Sequence, residues 1–486
     1  MKSHASMNRI YRLVWNAALG IWVAVAENAK GRGKAGRAAC ALLAVLANLS
    51  PSAYAADAAN ARVVVGAGSV ATSGTTTTIN QVSQRLAIDW TQLSTAANEA
   101  LRFNQPNAQA IALNRITGSS PSSFLGSLTA NGQVFILNPN GVLFGAGSQV
   151  NVGGLVASTL SMSNADFMAG RNVFTNSGGT GSVVNKGTMT ATQGGYLALL
   201  APEVRNEGVM TASLGTALLA AGNKVTLNLD NGSLLGYSID LGAINALAEN
   251  KQLIKADGGQ VLLSAKALDA LTTATVNNTG VIEARTIQNK AGRIMLMGDM
   301  AHGTVNVGGT LDASAPTGGN GGFIETSAAT VNVADSARLD TRAPQGLMGS
   351  WLIDPTDFTV AASGGNITGA ALSAQLRLTN VTLDTVHTTG SAAGDINVND
   401  AVNWSSNSAN ASSSTLTLNA ANNINVNAPI TWGISGTPGD ATTTGALVMN
   451  AGRNVNIGAP MNAYWRAPLT MTSGGQPSVA TNCASC

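Results

Sequence analysis

A short phrase that returns along the chain constrains the fold more than any other feature of the sequence. It stands at residues 185–191 (NKGTMTA), 206–212 (NEGVMTA) and 278–284 (NTGVIEA), with a looser copy at 309–313. Apolar and polar residues alternate within each copy, and Gly and Asn punctuate them. A period of two is typical of β-strands, and its return roughly every 20 to 30 residues is typical of a solenoid.

A second phrase follows the first within a few residues, and it begins with glycine and continues with apolar residues. It lies at residues 194–199, 258–263, 292–296 and 321–324. The one candidate helix is residues 241–255, so the strands do not belong to βαβ units. The pattern predicts an all-β chain, a right-handed parallel β-helix with an N-terminal β cap over residues 61–106. A β-sandwich or propeller fits less well, because the spacing varies and no aromatic blade signature recurs.

The composition suits thin stacked layers. Charged residues make up 10% and aromatic residues 4% of the chain, whereas 55 residues are glycine and hydrophobic residues reach 45%. A core is therefore available, built from small and β-branched side chains, and the chain is not typical of disordered proteins. The net charge of +2 leaves no basic surface reserve for nucleic acid, so we expect no nucleic-acid partner.

The N-terminus carries an export signal. Four basic residues between positions 30 and 37 precede an apolar run at residues 38–49, and small residues follow at Ala53 and Ala55. This order predicts a signal peptide that is cleaved after Ala55, before Ala56, or one residue later. The apolar run is too short for a membrane span, which needs about 20 residues.

The three cysteines agree with export. Cys40 lies in the segment expected to be removed, and the chain from residue 56 to residue 482 has none. This suits passage through an oxidising compartment without cross-linking. Cys483 and Cys486 form a CxxC at the C-terminus, where no helix follows, so a redox motif is disfavoured. A terminal disulfide, an anchoring device and a truncation remain open.

Residues 133–145 (QVFILNPNGVLFG) hold the most distinctive turn of the sequence. Two apolar runs flank Asn138, Pro139, Asn140 and Gly141. Proline at the second position and glycine at the fourth predict a type I turn, in which the Asn138 side chain bonds its own backbone. On the residues alone this is a strand, a tight turn and a second strand.

Two resemblances to known families suggest a function for that turn. Residues 7–33 resemble the extended signal peptide region of very large Gram-negative secreted proteins, which suggests that translation starts at Met7. Residues 61–241 resemble the secretion domain of two-partner secretion exoproteins, the filamentous haemagglutinin family, with a version closest to the high-molecular-weight adhesins. The words that match, in the family's order, are 82–84 (VSQ), 88–90 (IDW), 103–106 (FNQP), 112–116 (ALNRI), 132–135 (GQVF), 138–141 (NPNG), 155–159 (LVAST) and 206–208 (NEG).

The resemblance implies four regions. They are an extended signal peptide (1–55), a secretion domain (56–245), continuing β-helix coils (246–345) and the start of a repetitive shaft (346–486). Residues 349–355 (GSWLIDP) and 394–398 (GDINV) resemble segments that follow the secretion domain in large exoproteins. An Asn-Pro-Asn-Leu tetrapeptide found in part of the family is absent, which leaves the subclass of transporter open. The chain is short for an adhesin shaft, so it is expected to be truncated or a compact member.

The resemblance also implies a function. The general secretion machinery would export the chain, and an outer-membrane β-barrel transporter with POTRA domains would pass it to the cell surface. There it would act as an adhesin on an unidentified host-cell or matrix receptor, with residues 138–141 as a secretion motif. Haemolysin and haem or haemopexin binding are the alternatives within the family. Cys483 and Cys486 resemble the cysteine-closed anchor of high-molecular-weight adhesins, which would make them a disulfide.

Catalysis has little support in the sequence. His4, His302 and His387 are dispersed without metal-ligand spacing, and Asp354 and Asp357 have no evident partner acid. We therefore predict no enzyme activity, no metal and no cofactor. A β-helix enzyme that acts on polysaccharides, with Asp354 in its site, is the contrasting hypothesis. Trp351 is either part of a family motif or a simple core aromatic.

Overall fold

The computed structural model describes residues 56–387, 392–405, 414–434, 445–464 and 467–475, and the backbone of 11–16, 21–26 and 478–479. The chain divides into two units, residues 1–52 and 53–486. In the first unit, β1 (Tyr11–Asn16) pairs antiparallel with β2 (Ile21–Ala26), and Trp15 lies opposite Trp22 in the register.

The second unit begins with a cap of strands around its first coil. A 3₁₀ turn (Ala58–Asn60) leads into β3 (Ala61–Val65), β4 (Gly68–Ser73), β5 (Thr76–Gln81) and β6 (Arg85–Trp90). Here β3 pairs antiparallel with β6, and β4 with β5. The same β5 and β6 then pair in parallel with the next coil. The predicted cap is confirmed, and it closes an end whose free strand edges would otherwise pair with other chains.

The strands after the cap are short and follow one another around the coils. In chain order they are β7 (Ala100–Asn104), β8 (Ile111–Ile116), β9 (Ser122–Phe124), β10 (Ser127–Ala130), β11 (Gln133–Leu137), β12 (Val142–Phe144), β13 (Gln149–Ser158), β14 (Asn172–Thr175), β15 (Val183–Asn185), β16 (Thr188–Ala201), β17 (Glu203–Asn206), β18 (Val209–Thr211), β19 (Thr216–Ala221), β20 (Lys224–Asp230), β21 (Ser233–Leu241), β22 (Ala246–Asn250), β23 (Leu253–Lys255), β24 (Gln260–Ala265), β25 (Ala274–Asn278), β26 (Val281–Glu283), β27 (Arg293–Met297), β28 (Gly303–Val307), β29 (Thr310–Asp312), β30 (Phe323–Ser327), β31 (Thr330–Val333), β32 (Arg338–Asp340), β33 (Ser350–Asp354), β34 (Phe358–Val360), β35 (Asn380–Asp384), β36 (Ile396–Val398), β37 (Val402–Asn403), β38 (Thr415–Ala420), β39 (Ile424–Val426), β40 (Ile430–Gly433), β41 (Ala446–Ala451), β42 (Val455–Ile457), β43 (Met461–Tyr464), β44 (Leu469–Ser473) and β45 (Ser478–Val479). Two short helices, α1 (Asn164–Met168) and α2 (Gly369–Gln375), interrupt them.

The coils from β7 to β32 contribute parallel strands to three faces. Face 1 is β7, β10, β13, β16, β18, β23, β26, β29 and β32. Face 2 runs from β6 and β8 through β11, β13, β16, β19, β24, β27, β30, β33, β35, β38 and β41 to β44. Face 3 is β9, β12, β15, β17, β22, β25, β28 and β31. The predicted parallel β-helix is therefore confirmed.

The candidate helix at residues 241–255 does not form. That segment forms β22 and β23, whose burial alternates with a period of two in parallel register with the coils before and after. Its Ala, Leu, Glu and Lys residues favour a helix locally. The template of strand edges on both sides outweighs that preference, because each strand satisfies two rows of backbone groups.

Face 2 is buried on both sides near the start of the molecule. All residues of β11 and β19 are buried, and so is the second half of β16. An antiparallel sheet of β14, β20 and β21 and helix α1 cover the outer side, where Phe135 packs against Phe174 at a ring-centroid distance of 5.8 Å. Double burial explains the unbroken apolar runs VFIL and ALLAA, since neither side of these strands meets water.

The recurring phrase begins with an asparagine because those asparagines stack inside the molecule. Asn185 donates from Nδ2 to Oδ1 of Asn206 at 2.8 Å, Asn206 donates likewise to Asn250, and Asn250 to Asn278, both at 2.8 Å. We call these four residues the buried asparagine ladder. The side chains are buried but have partners in the next coil, so the corner between faces 3 and 1 is held without an unsatisfied amide.

Face 3 changes partway along the molecule. Its first sheet ends with β31, and a second sheet of β34, β36, β39, β42 and β45 replaces it, while face 2 continues without a break. Helix α2 lies at this change, where Gln375 donates to the Ala337 carbonyl at 2.7 Å and accepts from the Leu339 N–H at 2.9 Å. Trp351 is a core aromatic, fully buried on β33, and its Nε1 donates to Thr326 Oγ1 at 3.0 Å.

Ion pairs between coils make the stability of the molecule depend on pH. Arg285 Nε lies 2.7 Å from an oxygen of Asp312. Burial raises the pKa of Asp312, but hydrogen bonds from Ser314 and Arg285 outweigh it and leave the pKa below its usual value. A lowered folded pKa contributes stability above the unfolded value of about 3.9, and that contribution is lost as pH falls through the folded pKa.

We expect Asp312→Asn to lower the free energy of unfolding at pH 7 by about 1–2 kcal/mol, because a charge-assisted hydrogen bond is lost. The variant should also lose less stability than the parent on going from pH 5 to pH 2. Urea unfolding at several pH values measures both effects. The exposed Asp230 provides the control Asp230→Asn, and equal acid sensitivity of parent and Asp312→Asn would contradict the assignment.

Candidate functional site

The tetrapeptide at residues 138–141 forms the corner between faces 2 and 3, between β11 and β12. The Gly141 N–H donates to the Asn138 carbonyl at 3.0 Å, which closes a β-turn. The Asn140 N–H donates to Asn138 Oδ1, also at 3.0 Å. The turn expected from the residues, with the Asn138 side chain bonded to its own backbone, is therefore confirmed. Gly141 has a φ of +122°, which a residue with a side chain rarely adopts.

The Asn138 side chain ties the turn to the preceding coil. Its Nδ2 donates to the Ser120 carbonyl and to Ser122 Oγ, each at 3.0 Å. Its Oδ1 also accepts from Asn140 Nδ2 at 3.1 Å. Asn138 is fully buried. All of its polar side-chain groups therefore have partners inside the protein, as a buried amide requires.

The following coil closes over the same turn. The Gly181 N–H donates to the Pro139 carbonyl at 3.2 Å, and the Val142 N–H donates to the Ser182 carbonyl at 3.0 Å. The backbones are so close that a Cβ on Gly181 would lie 2.3 Å from the Gly141 nitrogen. The turn thus joins three successive coils.

Only part of this corner faces solvent. Asn140 is exposed and Pro139 is half-buried, whereas Asn138 and Gly141 are buried. None of the four side chains titrates, so the arrangement offers hydrogen bonding and shape but no acid, base or nucleophile. Sequence reasoning missed the residues that clamp the turn, which are Ser120, Ser122, Gly181 and Gly179, where a Cβ would lie 2.7 Å from the Pro139 carbonyl oxygen. The glycines in the run at 178–181 were the available signal.

The other predicted site residues lie apart from the turn. Ala56 is buried at the start of the second unit. Ala53 and Ala55, which flank the predicted cleavage site, lie outside the described residues, and so do Cys483 and Cys486.

A second cluster lies further along face 2, at β33 and β35. Asp354 and Asp384 end neighbouring strands β33 and β35, and His387 follows Asp384 by three residues. One ligand atom from each of the three lies within 4.8 Å of the others. In the sequence His387 is isolated from other metal-ligating residues except Asp384. Asp354 lies close to it only because successive coils stack on one another. Asp357 is not part of this cluster, since its Oδ1 accepts from the Gly394 and Asp395 N–H groups.

Comparisons with known proteins identify the family to which the turn and its coils belong. The family model of the TPS (two-partner secretion) secretion domain matches residues 55–313. The chain belongs to the two-partner secretion family. The Extended Signal Peptide of Type V secretion system matches residues 7–54. Both predicted resemblances are thereby confirmed, and the chain is a two-partner secretion exoprotein of the Gram-negative type, exported through the periplasm to the cell surface or beyond.

Two relatives from Haemophilus influenzae carry the name heme/hemopexin-binding protein. One, from strain ATCC 51907 / DSM 11121 / KW20 / Rd, is 34% identical over 244 residues, which is 49% of this chain and 27% of that protein. The other is 29% identical over 246 residues, 46% of this chain and 26% of that protein. The match therefore spans about a quarter of each relative. Neither name denotes an enzyme.

The crystal structure of the HMW1 secretion domain from Haemophilus influenzae shares the fold. Its TM-score is 0.58 at 22% identity, over 86% of this chain and 99% of that one. Among the residues that the structure describes, no helix has the length and apolar character needed to cross a membrane.

Proposed function

We propose that the chain is an adhesin-type exoprotein whose N-terminal coils act as secretion signal and folding nucleus. Its partner would be an outer-membrane β-barrel transporter with periplasmic POTRA domains, reached after export by the general secretion machinery. The observation that carries this proposal is the turn at residues 138–141, which joins three coils directly after the cap. Asn138 acts as a structural residue in it, and Pro139 and Asn140 are the parts that a transporter could touch.

Folding outside the cell supplies the direction of transport, because the periplasm offers no ATP. Each coil adds inward residues to one continuous core. Apolar burial is worth about 25 cal/mol per Å², and coils that contact only their neighbours add their stability step by step. A chain that folds as it emerges is thus prevented from sliding back. The cap and first coils would act as the nucleus on which later coils are templated.

Two classes of ligand are candidates for the mature protein. Haem or haemopexin binding is the second candidate, favoured by the names of both curated relatives. Their match covers about a quarter of those proteins, so an adhesin with a host-cell or matrix receptor stays our first choice. His302 and His387 are exposed on separate coils and do not form a pair of axial haem ligands.

The division of the chain follows the same logic. We place the boundary between the continuing β-helix coils and the start of the shaft near residue 345, because face 3 changes its sheet between Val333 and Phe358. Faces 2 and 3 both continue past residue 245. The boundary that we place at residue 245 therefore separates two regions of one continuous stack of coils. Cleavage between Ala55 and Ala56 and a disulfide between Cys483 and Cys486 are further proposals. The intact mass of the exported protein, before and after reduction and alkylation, tests both.

Export through a dedicated transporter is testable with the full chain. We expect the protein on the surface or in the medium when its cognate transporter is co-expressed, and in the periplasm without it. Equal export in both strains would contradict the proposal. Titration of the exported protein with haemin, followed by its visible absorbance, separates the two candidate ligand classes, because an adhesin of the proposed kind shows no saturable binding.

A further inference from the structure

Asp354 and Asp384 occupy equivalent places in successive coils. Ile353 of β33 lies opposite Leu383 of β35, so the two aspartates that follow are neighbours on face 2. Asp384 in turn lies opposite Asn419. Two carboxylates on adjacent strands repel one another, which destabilises such a pair unless a positive charge lies between them. The stack thus places two like charges side by side in a chain with few charges.

Hydrogen bonding satisfies one of the two carboxylates and leaves the other short of partners. Asp384 accepts from the Val386 N–H at 2.8 Å and from Asn419 Nδ2 at 3.0 Å. Asp354 Oδ1 is a buried atom with no hydrogen-bond partner among the described residues. His387 Nδ1 lies 3.6 Å from the other oxygen of Asp354, which is too long for a hydrogen bond. A buried oxygen of this kind calls for a partner that the described residues do not supply.

We propose that Asp354, Asp384 and His387 bind a divalent transition-metal ion, with Zn²⁺ as the best match. Two carboxylate oxygens and one imidazole nitrogen are three protein ligands, and their atoms are already within 4.8 Å of one another. Zinc accepts such mixed oxygen and nitrogen ligands in tetrahedral sites, whereas Ca²⁺ and Mg²⁺ prefer oxygen alone. The fourth position would be left to water.

The electrostatics of the cluster agree with this proposal. Asp354 and Asp384 bring two carboxylates against the single imidazole of His387, and Asp354 Oδ1 is buried. The site therefore holds an excess of negative charge in a partly buried position. A divalent ion would offset that excess and would fasten β33, β35 and the segment after β35 to one another, just beyond the change in face 3.

Zinc titration of the full mature chain tests the site. All proteins carry Cys483→Ser and Cys486→Ser, because the two thiols would bind zinc by themselves. After treatment with EDTA, calorimetric titration with Zn²⁺ should show one saturable site per chain. Asp384→Asn and His387→Ala should each weaken binding at least about tenfold, as loss of a ligand or its support does. His302→Ala removes the other mature-chain histidine, exposed on a different coil, and should leave binding unchanged.

Asp354→Asn gives a second readout, the unfolding temperature with and without zinc. Without metal it should unfold at the same or a higher temperature than the parent, because it removes one of two neighbouring charges. Zinc should then raise the unfolding temperature of the parent but not that of Asp354→Asn. Absence of stoichiometric zinc binding by the parent, parental affinity in both Asp384→Asn and His387→Ala, or binding of Ca²⁺ in place of Zn²⁺ would overturn the proposal.

Discussion

Asn138→Ile is expected to abolish most of the surface export of this exoprotein. Isoleucine is bulkier than asparagine and cannot hydrogen-bond, so Ser122 Oγ and the Asn140 N–H lose their bonds to Asn138 in a buried corner. Each buried polar group left without a partner costs about 1–3 kcal/mol, which gives a loss of about 3–5 kcal/mol for the coils around the turn. Surface labelling of cells that co-express the transporter measures export.

Asn140→Ala is the matched control within the same turn. It removes the bonds of Asn140 Nδ2 to Gly118 and Asn138, but the side chain is exposed and its backbone N–H bond to Asn138 remains. Its stability should fall by no more than about 1 kcal/mol. Export near the parental level is expected for it. If Asn140→Ala blocks export while the purified protein stays as stable as the parent, the exposed asparagine contacts the transporter and the structural account of the turn is wrong.

Asn206→Leu should be nearly as damaging to stability, although it lies outside the turn. Asn206 accepts from Asn185 Nδ2, donates to Asn250 Oδ1 and bonds the Gly208 backbone. Leucine leaves the neighbouring amides of the buried asparagine ladder without these partners. A loss of about 2–4 kcal/mol in the free energy of unfolding is expected, measured by urea unfolding of the purified chain.

A second asparagine column on face 3 supplies the control for the ladder. Asn306 donates to Asn277 at 2.7 Å and accepts from Asn332 at 3.1 Å, but this column is partly open to solvent. Water can replace its partners, so Asn306→Leu should cost no more than about 0.5 kcal/mol. If Asn206→Leu and Asn306→Leu lower the free energy of unfolding equally, burial does not determine how much the ladder stabilises the protein.

The recurring phrase predicts most of the fold. Its alternating residues are the inward and outward positions of faces 3 and 1, and its first asparagine marks the buried ladder. The tetrapeptide at residues 138–141 likewise predicted its own turn, because proline, asparagine and glycine act through local geometry. These features were readable because they depend on neighbours in sequence.

The parts that sequence reasoning missed depend on neighbours in space. The partners of Asn138 on the preceding coil, and Gly181 on the following one, are set by the register between coils. The only sign in the sequence of the outer sheet over face 2 is that apolar and polar residues no longer alternate in strands such as β19. Asp354 and Asp384 lie about one coil apart in sequence, so their proximity appears only when β33 and β35 are paired.

The central claim is that export depends on the folding of the coils and not on the tetrapeptide as a recognition sequence. The most direct measurement is the amount of Asn206→Leu exported by cells with the transporter, since this variant keeps residues 138–141 unchanged. If folding drives export, its yield falls together with its stability, while Asn306→Leu is exported like the parent. Export of Asn206→Leu at the parental level, despite a measured loss of stability, would contradict the claim.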